Sequence, residues 1–421
     1  MDEVLPEAAL PVHCLEAASF ICRQYIITLF SHLEKEISEL IRIQPRTMEG
    51  LQESPLQIVL ESSKKAVFQG SMDLLVEFRQ LLDDHLELLV KLRDLIRDWV
   101  QEGFQDFFQK LHQHFLLLCG SANLLTNDSK NYLVQTERVQ TVLVLVLSQL
   151  SVYIEQATVP RVTEEIATSF SGGGIRAYER GPAIVPGEIC RWFRSSGEKF
   201  LHLYINIKSQ NLSIILKKRF TTPNWIKHKE PREVNMFVDL LFQEFDGVVA
   251  EVKQILPHGL TRKHRRSDSN GSTTSSRSNT LHEDRLNRSN TQRAKSQFLE
   301  SHLAKLFEQK MEIFTKVEHT QESVVSTVVK LCLKSLQEFV RLQTLNRSGY
   351  QQIQLDIEFL KNPLKEYVDD EAVVDLLLKE VINAAHERCL DPIQLEPPIL
   401  DKLIAAKLSK IKDQKPTAAS L

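Results

Sequence analysis

Ser196 and Lys199 stand at the S-x-x-K spacing in which a lysine amine can take the proton of a nucleophilic serine for acyl transfer. The companion motifs of that chemistry, S-D-N and K-T-G, are missing, so the pair reads as a coincidence of spacing. Gly172, Gly173 and Gly174 could turn backbone N–H groups toward a phosphate. No Gly-Lys-Ser/Thr completes a phosphate loop there, and the run reads as a flexible loop. His112 and His114 are two residues apart, which on a helix points them to different faces and spoils chelation. His85 lies in an apolar seam with no second His, Cys or carboxylate at ligand spacing. The acidic run Asp369, Asp370 and Glu371 precedes an apolar helix and reads as its first turn, where negative charge complements the helix dipole. These residues nominate no catalytic group, no metal and no cofactor. An enzyme would have to assemble its site from residues far apart in the chain.

The polar pattern that does stand out runs from Leu336 to Leu360. Leu336, Phe339, Val340 and Leu342 supply an apolar helical stripe. After Asn346 and Gly349, the chain sets Gln351, Gln352, Gln354 and Asp356 among Ile353, Leu355 and Ile357. Amides and a carboxylate in apolar company must find hydrogen-bond partners, inside the chain or across an interface. Either case makes this a packing or docking element rather than a site of chemistry. Ile353, Leu355, Ile357 and Phe359 alternate like a strand, while Ile353, Ile357, Leu360 and Leu364 fit a helix. Helix is chosen, because a lone strand could not satisfy its backbone.

The elements that position these groups are helices. Gly (14) and Pro (15) are scarce in 421 residues against a usual combined share of about 12%. A net charge of −3 with 25% charged residues exerts no global pull toward nucleic acid or anionic lipid. Six scattered cysteines, without a C-x-x-C pair, read as free thiols. The longest apolar run, Val142 to Leu147, falls short of the roughly 20 residues that span a bilayer. Asp2, Glu3 and Glu7 occupy the place of a positive signal-peptide n-region, so no signal peptide is read.

Helices are predicted from Leu15 to Arg42, from Leu74 to Phe115 and from Tyr132 to Glu155. The second carries a coiled-coil-like seam of Leu75, Phe78, Leu82, His85, Leu89, Leu92, Ile96 and Trp99, with Gly103 as its expected break. The third should end before Pro160. Glu230-Pro231-Arg232-Glu233 reads as the start of a Pro-initiated helix. The chain thus divides into a helical bundle at 1–168, a Gly/Pro-rich loop at 169–187, a middle bundle at 188–256, a linker at 257–296, a C-terminal bundle at 297–412 and a tail at 413–421.

The linker opens with Arg262, Lys263, Arg265 and Arg266 and continues as a Ser/Thr/Asn-rich tract that cannot build a core, so disorder is expected. Without stacking aromatics its basic cluster is not a nucleic-acid site. Ser269 and Thr291 follow arginines at spacings that basophilic kinases use, which makes them candidate phosphosites. On that basis the alternative function is a phosphorylation-regulated cytosolic adaptor working through the linker. The basic amphipathic segment from Leu400 to Ile411 is expected to pack on the preceding bundle, with membrane-surface contact as the lesser option.

Leu336-Gln337-Glu338-Phe339-Val340-Arg341, followed by Gly349, Gln351-Gln352-Ile353-Gln354 and Asp356, resembles the C-terminal signature of the vacuolar protein sorting-associated protein fifty-one (Fat-free) family. The likeness extends back through Leu306-Phe307-Glu308, Ile313-Phe314 and Val317-Glu318, and forward through Asp370-Glu371, Leu376-Leu377-Leu378 and Arg388-Cys389 to Asp391-Pro392. Upstream, Trp225 with Glu230-Pro231-Arg232 resembles the family's tryptophan and Glu-Pro-Arg element. The resemblance implies an all-α fold, an elongated helical-bundle rod of the multisubunit tethering type, interrupted by one disordered linker. It implies a non-catalytic subunit of the Golgi-associated retrograde protein complex and the endosome-associated recycling complex. Its partners would be the other subunits and SNARE proteins, with peripheral membrane association through them, and neither nucleic acid nor a small-molecule substrate. The implied location is the cytosolic face of the Golgi and trans-Golgi network, with recycling endosomes and cytosol besides. Arg341, Gly349, Gln351, Gln352, Gln354, Asp356, Trp225, Pro231 and Arg232 are the implied packing or docking residues. Family members carry an N-terminal coiled-coil region ahead of their bundles, and no stretch here matches it by residues.

Overall fold

The computed structural model describes residues 10–42, 55–83, 87–124, 134–170, 184–259 and 316–414. All regular structure among them is helical, apart from an isolated parallel bridge between Leu345 and Cys389. Packing divides the chain into two compact units, residues 1–222 with 236–257, and residues 223–235 with 258–421. These boundaries differ from the composition breaks. A Gly/Pro-rich interval shows where a helix must stop, but not which helices then pack together.

In the first unit, α1 (Leu10–Arg42), α2 (Pro55–Asp83) and α3 (Glu87–Leu124) pack mutually. Their core is aromatic: Phe30 lies against Phe78 and meets Phe104 edge-on at 4.9 Å, and Phe107 and Phe108 follow along α3. The expected long helix with its break at Gly103 is corrected here. The pattern falls on two helices, α2 ending at Asp83 and α3 beginning at Glu87, and α3 runs through Gly103 without interruption. Gly103 serves close approach instead, because a Cβ there would collide with the Phe30 ring. Gly103→Ala gains about 1 kcal/mol of helix propensity. Forcing a hemmed-in ring to move costs about 1–3 kcal/mol, so a lower urea midpoint is the expected result.

The apolar run lies in α4 (Val134–Tyr153), where Val144, Leu145, Val146, Leu147 and Leu150 are buried. α4 packs on α2, α3, α6 (Pro186–Thr221) and α7 (Met236–Ile255). It meets α6 at Gly197, whose carbonyl receives the Ser148 hydroxyl at 2.7 Å. The stop expected before Pro160 is corrected here, because helical structure continues through it. A π-helical turn, Ile154–Thr158, shifts the hydrogen bonding so that Val159 N–H reaches the Ile154 carbonyl. Proline then enters the first turn of α5 (Val159–Ser169), where its missing N–H costs nothing. The continuous stretch Thr141–Ser169 is long and apolar enough to cross a membrane, but 67% of that apolar window is buried inside the fold, as a core helix requires.

α6 also carries a partly buried polar triad. Lys208 Nζ lies 2.7 Å from both Glu251 oxygens, and the Tyr204 hydroxyl donates to Glu251 Oε2 at 2.9 Å. Burial and the neighbouring carboxylate together push the Tyr204 phenol well above its ordinary range.

The second unit contains α8 (Gln321–Arg341), α9 (Arg347–Leu364), α10 (Glu371–Glu387) and α11 (Pro397–Gln414). α10 packs on α8 and α9, and α11 on α9. The start of α8 is capped by Thr320, and that of α10 by Asp370, which accepts the Ala372 N–H at 3.2 Å. The residues between Arg341 and Arg347 run beside those after α10, with Leu345 N–H on the Arg388 carbonyl and Leu390 N–H on the Leu345 carbonyl, both at 2.9 Å. The segment 223–235 belongs to this unit although α6 and α7, on either side of it, belong to the first. It is a strap holding one short 3-10 turn, Trp225–Lys227. The helix expected to start at Pro231 begins only at Met236. The strap's backbone groups at Glu233 and Asn235 bond to side chains of α9 instead.

Candidate functional site

Amides concentrate on α9 because this helix borders two non-helical segments whose backbone groups need partners. On the strap side, Gln352 Nε2 donates to the Glu233 carbonyl at 3.1 Å and to Asp356 Oδ1 at 3.0 Å. The same Oδ1 accepts the Asn235 N–H at 2.8 Å. On the other side, Gln351 Nε2 donates to the Ile393 carbonyl at 3.2 Å, and Gln354 Oε1 accepts the Leu395 N–H at 2.9 Å. Three glutamines and one aspartate thus hold the chain's own non-helical backbone on two flanks of one helix.

The helix N-terminus completes the clamp. Asn346 caps it by accepting the Gly349 N–H at 2.8 Å, while its Nδ2 donates to the His228 carbonyl at 2.9 Å and its backbone N–H to the Trp225 carbonyl at 3.2 Å. Trp225 is buried and stacks on His228 with centroids 5.1 Å apart. Gly349 lets this turn come close: a Cβ would stand 3.1 Å from the Trp225 carbonyl oxygen and 3.3 Å from its ring. Gly349→Ala is expected to shift Trp225, lower stability by about 1–2 kcal/mol and red-shift the Trp225 emission in a background lacking Trp99 and Trp192.

Asp356 is 2% exposed, and burial raises its carboxyl from 3.8 to about 7 against the opposing pull of its hydrogen-bond donors and of Lys407. Such a group suits a structural latch. A catalytic acid would need a substrate to reach it, and both donors approach the carboxyl from the chain itself.

The sequence-predicted residues therefore divide. Trp225, Gly349, Gln351, Gln352 and Asp356 are buried together, with Gln354 half-buried beside them. Pro231 is half-buried in the strap, Arg232 is exposed, and Arg341 is exposed and paired with Glu338 at 3.0 Å. Asn235, Asn346 and His228 were not singled out from sequence; only the N-cap spacing of Asn346 to Gly349 offered a signal. The basic cluster, the Gly172–Gly174 run, His85, Ser269 and Thr291 lie outside the described residues.

Ser196 and His112 present a second arrangement, at 2.7 Å between Ser196 Oγ and His112 Nε2. Ser196 is 2% exposed, which removes the hydroxyl from any attack on a carbonyl. Among the described residues no group of His, Cys, Asp and Glu is placed to hold a metal ion. The thiols of Cys119 and Cys332 are pushed up to about 12 by burial and are not nucleophiles.

No family model and no solved structure matches the chain. Among curated proteins, it is 58% identical over 416 residues, 98% of its length, to the vacuolar protein sorting-associated protein 51 homolog of Arabidopsis thaliana. It is 31% identical over 260 residues, 62% of its length, to the homologs of that name from Homo sapiens and Xenopus laevis. The chain spans 53% of the plant relative and 32% and 34% of the human and frog ones. Over the stretch it spans, the chain belongs to the family of vacuolar protein sorting-associated protein 51 homologs.

Proposed function

We propose that this chain is part of a non-catalytic subunit of a vesicle-tethering complex acting in retrograde transport from endosomes to the trans-Golgi network and in endocytic recycling. An identity of 58% over 98% of this chain to a plant protein named for vacuolar protein sorting carries this reading. In this role helical faces hold partner subunits and SNAREs, and membrane association at the cytosolic face of the Golgi comes through those partners. The surface of α1 supports it. While Ile26, Phe30, Leu33 and Ile37 face the core, Phe20 and Ile21 point outward at 66% and 65% exposure. A helix apolar on two faces is built to pack on two sides.

Co-precipitation of the tagged chain from cells tests the proposal. Recovery of the other tether subunits is expected, and recovery of none of them contradicts it. Deleting residues 262–295 separates this role from that of a linker-driven adaptor, because a tether retains most of its activity and the adaptor loses it.

A further inference from the structure

A cleft of about 370 Å³ opens between α3 and α6, lined by His112, Leu116, Glu188, Arg191, Trp192, Ser195, Ser196 and Lys199. Its size falls in the range of small-molecule sites. Three of these residues, Arg191, Ser195 and Lys199, follow one another at intervals of four on α6, so they share a face and span about 12 Å of helix axis. His112 and Trp192 form a stacked wall, with ring planes 16° apart and centroids at 6.0 Å. Ser196 fixes the imidazole from below at 2.7 Å.

Two basic groups of α6 outside the cleft are matched, Arg194 by Glu155 at 2.7 Å and Lys208 by Glu251. Those lining the cleft are not. Arg191 gives its Nε only to the Gly187 carbonyl of its own helix, at 3.3 Å, and neither it nor Lys199 has a carboxylate partner among the described residues. The one acidic side chain in the lining, Glu188, sits one turn before Arg191 and away from the Lys199 end. Burial first and the Lys199 ammonium second push the His112 imidazole below its ordinary range, and an anion beside Lys199 would oppose the second cause.

We propose that this cleft binds a polyol phosphate monoester. The phosphate lies at the Lys199 and His112 end, where positive charge is uncompensated and hydroxyl and imidazole donors converge. The polyol rests against Trp192 and Leu116, with its hydroxyls donating toward Glu188 at the opposite end. Both a soluble sugar or inositol phosphate and the headgroup of a monophosphorylated inositol lipid present this chemistry. Ser196 is covered, so the site binds and does not hydrolyse.

The test is calorimetric titration of the full chain with inositol 1-phosphate at pH 6.5, in two buffers of different ionisation enthalpy. Saturable binding with proton uptake is expected. Lys199→Met should weaken binding by about tenfold or more, and His112→Asn should remove the proton uptake. Co-sedimentation with phosphatidylcholine vesicles carrying a phosphatidylinositol monophosphate identifies the source. Vesicle binding lost in Lys199→Met assigns a lipid headgroup, and soluble binding without vesicle binding assigns a free ester. The absence of saturable binding in both arms, or equal affinity in Lys199→Met with its fold intact by circular dichroism, overturns the proposal.

Discussion

The second unit should melt at a higher temperature at pH 5 than at pH 8, and Asp356→Asn should flatten that difference. In the folded chain the Asp356 carboxyl titrates at about 7 against 3.8 ordinarily, because burial outweighs its donors and Lys407. A folded pKa above the unfolded one means that the native state binds the proton more tightly. The stabilisation is therefore full below about pH 4 and is lost as pH rises through about 7. A rise of about three units corresponds to about 4 kcal/mol at most. The Asn235 and Gln352 donors both meet Oδ1, so a neutral carboxyl or an asparagine keeps both bonds while avoiding a buried charge. Asp356→Ala strands both donors instead, and should destabilise at pH 5 by about 1–3 kcal/mol per lost partner. Melting followed through Trp225 alone, with Trp99 and Trp192 replaced by Phe, reads this unit. An identical pH profile in Asp356→Asn would show that the carboxyl does not act this way.

In the first unit the largest single loss is expected from Glu251→Ala. Its side chain and that of Lys208 are only 18% and 10% exposed. Removal leaves an ammonium and the Tyr204 hydroxyl without their partner, at a cost of about 3 kcal/mol or more. The double variant Lys208→Met with Glu251→Leu removes charge in pairs and should recover most of the loss. Chemical denaturation of the three proteins forms the check. A double variant no better than Glu251→Ala would mean that packing, rather than an unpaired charge, carries the effect.

Much of this architecture was legible from apolar spacing. α1, α4 and α8 follow stripes that any helical template finds, and the helix choice for Ile353 to Leu364 holds because Gly349 and Asn346 start it cleanly. The amide-rich pattern announced itself as polar groups needing partners, but the partners were invisible. Asn235 lies 121 residues from Asp356, and Glu233 lies 119 from Gln352. The acceptors are mostly backbone carbonyls, which every residue carries, so composition cannot point to them. For the same reason Pro231 looked like a helix start: the tertiary bonds made by Glu233 and Asn235 keep this stretch out of helix against local preference. The seam from Leu75 to Trp99 misled differently. Its described residues fall on two helices, α2 ending at Asp83 and α3 beginning at Glu87, and two helices packing against a third repeat the spacing of one long helix.

The family signature on α9 secures the chain's own strap and the segment after α10. Hydrogen exchange of the Gln352→Ala variant tests this most directly. Faster exchange at residues 225–235 and a lower melting temperature of the second unit are expected, with any loss of partner binding following from that loosening. Unchanged exchange and melting together with lost recovery of tether subunits would contradict it, and would make the signature a docking face.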